Sequence, residues 1–140
     1  MAEAKSAKGQ PIARPLSPHL QVYKPLINMI MSILHRMTGA ALYFGFLLLA
    51  WWLVAAASGP QYFDFVNNTL FGSLPGKVVL FGYTWALMQH MAGGIRHFIW
   101  DTGRGYGLGT IDILCWLSIL FSLVSTGLIW GYVVYVRGGL

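Results

Sequence analysis

The sequence predicts an all-α membrane protein with three transmembrane helices running antiparallel, up-down-up. Three observations carry the prediction. Hydrophobic residues make up 56% of the 140 residues and charged residues only 9%, whereas a soluble domain carries roughly 25% charge to cover its surface. Three long runs have no formal charge. The segments between them are rich in Pro, Gly and Asn. An apolar surplus of this size needs hydrocarbon as solvent, and backbone in hydrocarbon must satisfy its own hydrogen bonds, so the spans are helices.

The elements follow in order. Residues 1–27 are polar and punctuated by Pro11, Pro15, Pro18 and Pro25. They hold no apolar stretch of a secretory signal and too few Arg and Ser for a transit peptide, so the chain is expected to be mature as written. Residues 28–140 are expected to form the membrane domain. The first helix is predicted over about 29–57, around the uncharged run Met37 to Ala57 of 21 residues. Ser58 to Gly76, with Pro60 and Pro75, reads as a connection built of breaker residues. The second helix is predicted over about 76–101, around Val78 to Ile95, 18 residues that include Gln89 and His90. Thr102 to Thr110 contains four glycines and reads as a tight turn. The third helix is predicted over about 111–136, around the 24-residue run Ile113 to Val136. About 20 apolar residues cross a hydrocarbon core, so all three runs suffice, the second only just. Trp51, Trp52, Trp100, Trp130, Tyr132 and Tyr135 near the run ends suit interfacial belts.

Charge placement orients the chain. Lys5, Lys8, Arg14, Lys24, Arg36, Arg96 and Arg104 lie on the N-terminal side and the second connection, against Lys77 and Arg137 on the other side. Seven positive residues against two put the N-terminus in the cytoplasm or matrix and the C-terminus opposite, across a bacterial inner membrane or a mitochondrial inner membrane. The net charge of +5 does not point to nucleic acid, because no basic run or long basic helix face occurs. Cys115 is the single cysteine, which excludes an internal disulfide. No phosphate loop and no paired acids are present.

Two places hold chemistry. On the first helix, Ser32, Arg36, Gly39 and Tyr43 share one narrow face at 100° per residue, with His35 about 100° to one side. A hydroxyl and a guanidinium four residues apart can converge on one polar acceptor, such as a quinone carbonyl or a propionate. Equally, Arg36 and His35 can be interfacial anchors with Ser32 a bystander. On the second helix, Tyr83, Ala86, His90, Gly94, His97 and Asp101 lie along one stripe, with Gly93 beside it. His90 lies ~9 Å deeper than Arg96 at 1.5 Å per residue, and an ionisable residue at depth is a functional candidate by default. A neutral imidazole suits haem iron, and Gly93 and Gly94 offer clearance for a flat macrocycle. The alternative is a core histidine bonded to a neighbouring helix, with glycines for close packing. His90 and His97 lie ~10.5 Å apart along one helix, too far to grip one iron, and His35 is expected to be shallower than His90. A six-coordinate haem would therefore take its second ligand from another chain. His35, His97, Arg36 and Arg96 collect at the cytoplasmic edge and suit haem propionates, with Arg96 better read as a plain positive anchor.

The stretch Arg14-Pro-Leu-Ser-Pro-His-Leu followed by Ser32-Ile-Leu-His35-Arg36-Met-Thr38-Gly39 resembles the first signature of the cytochrome b subunit of succinate dehydrogenase, in its mitochondrial and alphaproteobacterial branch. His90-Met-Ala-Gly-Gly94-Ile-Arg96-His97-Phe-Ile-Trp-Asp101 resembles its second signature. The resemblance implies the large membrane anchor of respiratory complex II, half of a helical bundle completed by a second anchor subunit. It implies one haem b shared between the two anchors, and a flavoprotein and an iron–sulfur subunit docked on the cytoplasmic or matrix face. Electrons from succinate would pass to ubiquinone, and this chain alone would not oxidise succinate. It further implies that His90 is the axial haem ligand, that Ser32 and Arg36 bind quinone, and that His35 and Arg36 lie near the haem propionates. His97 belongs to the motif. Two rivals stand beside this: the anchor of a fumarate reductase, and a haem-free helical scaffold in which His90 and Gly94 only pack helices.

Overall fold

The computed structural model describes residue 19 and residues 22–138, and the described residues are helical almost throughout. Helix α1 is Ile27–Ser58, α2 is Pro60–Asp64, a π-helix follows at Phe65–Phe71, α3 is Leu74–Asp101 and α4 is Leu108–Arg137. The three long helices contain 32, 28 and 30 residues, or about 48, 42 and 45 Å at 1.5 Å per residue. Each extends past the apolar run that predicts it. Helices α1 and α4 are both long and apolar enough to cross a membrane. Of the Arg14-to-Leu20 motif only His19 falls within the described residues, and it is exposed; the rest of the motif lies outside them.

Contacts fix the packing. His90 meets Gly39 while Tyr83 meets Gly45, so α1 rises as α3 falls. Arg96 meets Cys115, Gln89 meets Ser122 and Thr84 meets Trp130, so α3 and α4 are antiparallel too. Helix α3 is the middle helix and packs on both others, while α1 and α4 touch little.

The molecule is apolar outside and small or polar inside. Helix α1 buries only Met31, Thr38, Gly45 and Ala55, the first three at seven-residue spacing. Helix α4 buries Cys115, Ser118, Ser122 and Thr126, at spacings of three and four. Their facing residues on α3 include Ala86, Gln89, Gly93 and Arg96. Meanwhile Tyr43, Phe44, Phe46 and Leu47 on α1 and Leu120, Leu123 and Leu128 on α4 are exposed. Hydrocarbon gives large apolar side chains no reason to leave it. Small residues that let backbones approach, and polar ones that bond across helices, supply the contacts instead.

The connection after α1 differs from the expected loop. Gly59 takes φ of 120°, a region open to glycine, and turns the chain sharply. Pro60 then opens α2 at a first-turn position, where its missing N–H is no loss. Asn67 accepts from Trp52 Nε1 at 3.2 Å, and Asn68 donates to Asp64. Breaker residues here start and pin a helical hairpin. Ser73 caps α3, its Oγ accepting from Gly76 N at 3.2 Å. At the far end Tyr106 donates to the Trp100 carbonyl at 3.0 Å, and Trp100 Nε1 donates to the Gly105 carbonyl at 3.3 Å. These bonds tie the glycine turn back onto α3.

Candidate functional site

The interface of α1 and α3 brings three imidazoles together. The His35 and His90 rings stack with centroids 4.0 Å apart and planes within 6° of parallel. His97 tilts against His35 at 5.2 Å. His90 is half-buried and His97 exposed. The stripe on α3 is confirmed as a contact face only in part. Gly93 is the glycine that faces α1, because a methyl there would strike His35 Nδ1. Gly94 faces open space, with nothing within 4 Å of where its Cβ would lie. The clearance at Gly93 is filled by this chain's own histidine, and only Gly94 leaves room for something from outside.

His35 lies nearer the Arg36 end of the bundle than His90, as its place next to Arg36 predicts: it meets Gly93 on α3, three residues closer to Arg96, while His90 meets Gly39 on α1. The His35 ring lies between those of His90 and His97, 4.0 Å from one and 5.2 Å from the other. A six-coordinate haem would still take its second ligand from another chain, and the stacking adds a further reason. An imidazole binds a metal through a lone pair in the plane of its ring. Two rings lying face to face direct those lone pairs alongside each other, never toward each other across one iron. Among the described residues no group of three His, Cys, Asp or Glu is arranged to hold a metal ion.

The surroundings of His90 decide which of its nitrogens is available. Nδ1 lies 3.1 Å from the His35 carbonyl and 3.3 Å from Thr38 Oγ1. Nε2 makes no hydrogen bond among the described residues. Gly39 keeps the edge of the ring clear: a Cβ there would sit 3.0 Å from Cε1. An imidazole with one nitrogen held by acceptors and the other free fits what a haem iron would need from this chain. The donors around it fit the group as well, with His97 and Arg36 exposed near the same end.

Ser32 and Arg36 are brought together, as their spacing predicts. Arg36 Nη2 donates to Ser32 Oγ at 3.2 Å, and both residues are exposed. Two larger cavities lie elsewhere. One of about 290 Å³ is lined by Gly45, Trp52, Phe71 and Tyr83, and one of about 300 Å³ by Lys77, Thr84, Trp130 and Arg137. Both are toward the far end of α3 from Arg36. Ser32 and Arg36 therefore sit on open surface of this chain.

Arg96 corrects the expectation of a plain surface anchor. It is 3% exposed, turned to the α4 side of α3. Its Nη1 donates to Cys115 Sγ at 3.2 Å and its guanidinium carbon lies 5.1 Å over the Trp100 ring. Its Nε is buried without a partner among the described residues. Cys115 is a buried acceptor for that cation. Thr38, at the centre of the cluster, is a residue that sequence reasoning missed. Its one signal is a hydroxyl three residues after His35, one helical turn on and inside an apolar run.

Comparison with known proteins places the chain in a family. The family model for the succinate dehydrogenase/fumarate reductase transmembrane subunit matches residues 10–129. The succinate dehydrogenase cytochrome b556 subunit of Rickettsia felis is 39% identical over 117 residues, covering 84% of this chain and 90% of that protein. The cytochrome b556 subunit of Paracoccus denitrificans is 46% identical over 92 residues, covering 66% and 70%. The mitochondrial cytochrome b560 subunit of Bos taurus is 37% identical over 100 residues, covering 71% and 59%.

Proposed function

The chain belongs to the succinate dehydrogenase/fumarate reductase transmembrane subunit family, and on that premise we propose that it is the cytochrome b membrane anchor of a succinate:ubiquinone oxidoreductase. Helix α3 is then the third membrane span. Its length of 28 residues suffices, and Gln89 and Arg96 are turned into the protein, away from lipid. A second anchor subunit completes the bundle and covers part of the exposed apolar faces. An iron–sulfur subunit and a flavoprotein subunit dock on the cytoplasmic or matrix face, where the N-terminus and the Thr102-to-Gly107 turn lie.

His90 would hold a haem b through Nε2, and the second anchor subunit would supply a further ligand. The haem, when bound, supplies one-electron redox chemistry. His35 stacks on the ligand ring and limits its rotation. His35, His97 and Arg36 offer donors to the propionates.

Quinone reduction belongs to Ser32 and Arg36. The observation that carries this is the 3.2 Å bond in which Arg36 donates to Ser32 Oγ. The serine oxygen is used as the acceptor, which leaves its own O–H free to donate to a quinone carbonyl. The guanidinium keeps further N–H groups for the same target and a fixed positive charge beside it. Reduction to quinol consumes two protons, and exposed residues at the membrane edge are next to the water that supplies them. The open surface around the pair suits a pocket completed by neighbouring subunits. Arg36→Ala in the purified complex is expected to abolish quinone reduction while succinate oxidation by an artificial dye persists. Unchanged quinone reduction in that variant refutes the assignment.

A further inference from the structure

We propose that Thr38 is a positioning residue for His90, which together with the His35 carbonyl holds the proton of the imidazole on Nδ1 and so presents a bare Nε2. This rests on the reading of His90 as the haem ligand and names the device that sets its orientation and basicity.

The argument is a count of protons. Thr38 Oγ1 lies 2.9 Å from the Leu34 carbonyl and 3.0 Å from the His35 carbonyl. Both are acceptors only, so the threonine hydroxyl spends its proton on them. Its lone pairs remain for His90 Nδ1 at 3.3 Å. The His35 carbonyl lies 3.1 Å from the same Nδ1. Every neighbour of Nδ1 is thus an acceptor. A bare Nδ1 would face a carbonyl oxygen, lone pair against lone pair, in a site shielded from water. With the proton on Nδ1, both contacts are satisfied and Nε2 is left as the nitrogen that can bind a metal. Acceptors on the far nitrogen raise the basicity of the ligating one, so Thr38 tunes the ligand as well as aiming it. Thr38 is buried, between helices and away from the surface, and packs on His90 where Gly39 brings the two helices close.

The test uses the intact complex, purified in mild detergent, with redox titration of the haem band and ferric-haem electron paramagnetic resonance as readouts. Thr38→Val keeps the volume and removes the acceptor. It is expected to retain haem but raise the haem midpoint potential and shift the low-spin g values, because a weaker donor stabilises ferric iron less. Thr38→Ser, which keeps the hydroxyl, is expected to restore the wild-type values. A purely structural role predicts no such split. Thr38→Val with wild-type potential and g values overturns the proposal, as does Thr38→Ser shifted as far as Thr38→Val. If Thr38→Val does not assemble, Thr38→Cys replaces the oxygen by a poor acceptor at similar size. The same upward shift supports the role, and a wild-type potential overturns it. His90→Leu separates the two levels of the argument. A wild-type haem spectrum in His90→Leu removes the ligand assignment and Thr38's role with it. Loss or weakening of the band there, with Thr38→Val unshifted, removes Thr38's role alone.

Discussion

The imidazole of His35 lies flat on that of His90, 4.0 Å away and 6° from parallel. This one contact ties the two signature segments of the chain together, one on α1 and one on α3. It joins Ser32 and Arg36, the proposed quinone pair, to His90, the proposed haem ligand, since Arg36 directly follows His35. It also means that this cluster, in a chain with four histidines, would offer a bound haem one axial ligand and not two.

Ser32 and Arg36 should differ in how much they matter. A neutral hydrogen bond contributes about 0.5–1.5 kcal/mol and one from a charged donor about 1.5–3. Ser32→Ala is therefore expected to weaken quinone reduction by about tenfold at most, since 1.36 kcal/mol is one decade of rate. Arg36→Ala should fall well below Ser32→Ala in the same assay. Steady-state rates with quinone and with dye, measured side by side, check the order. Ser32→Ala as damaging as Arg36→Ala would mean that the hydroxyl, and not the cation, is the principal donor.

Gly45 is required by Tyr83. A methyl on Gly45 would overlap the Tyr83 ring, and neither backbone can retreat without parting α1 from α3. Gly45→Ala is expected to cost about 1–3 kcal/mol, the range for overpacking a fitted interface. The measurement is the thermal midpoint of the purified complex. Tyr83→Leu combined with Gly45→Ala should recover most of the loss, because the clash is pairwise. Equal losses in the single and double variants would place the strain elsewhere.

Arg96 is a buried cation with a sulfur for its acceptor and an Nε that has no partner among the described residues. Such a group costs more to desolvate than its contacts return, and an apolar replacement of similar volume is often neutral or stabilising. Arg96→Met is expected to leave assembly and haem content intact and to hold or raise thermal stability. Collapse of the complex in Arg96→Met would show that the guanidinium has an anionic partner in another subunit.

Much of the fold was legible because lipid enforces it. Uncharged runs bounded by Pro and Gly locate the long helices to within a few residues of Ile27–Ser58, Leu74–Asp101 and Leu108–Arg137. The Ser32–Arg36 contact was legible for a similar reason, since i and i+4 meet on any helix. What spacing along one helix does not contain is the register between helices. The stacking of His35 on His90 depends on how the Pro60–Asp64 and Phe65–Phe71 helices fold the chain back. Those two came from Pro60 opening a helix, and a breaker-rich segment reads more simply as a loop. The burial of Arg96 was hidden in the same way. It lies 100° from His97 on an ideal helix, and only the packing of α4, with Cys115 opposite, decides which of the two is inside.

The most direct test of the account is the reduced-minus-oxidised visible spectrum of the purified complex, wild type beside His90→Leu. The account predicts a b-type band in the wild type that is lost or weakened in His90→Leu, with the helical anchor still assembled. A band of full intensity and unchanged position in His90→Leu, or a fully active wild-type complex with no band, would contradict it.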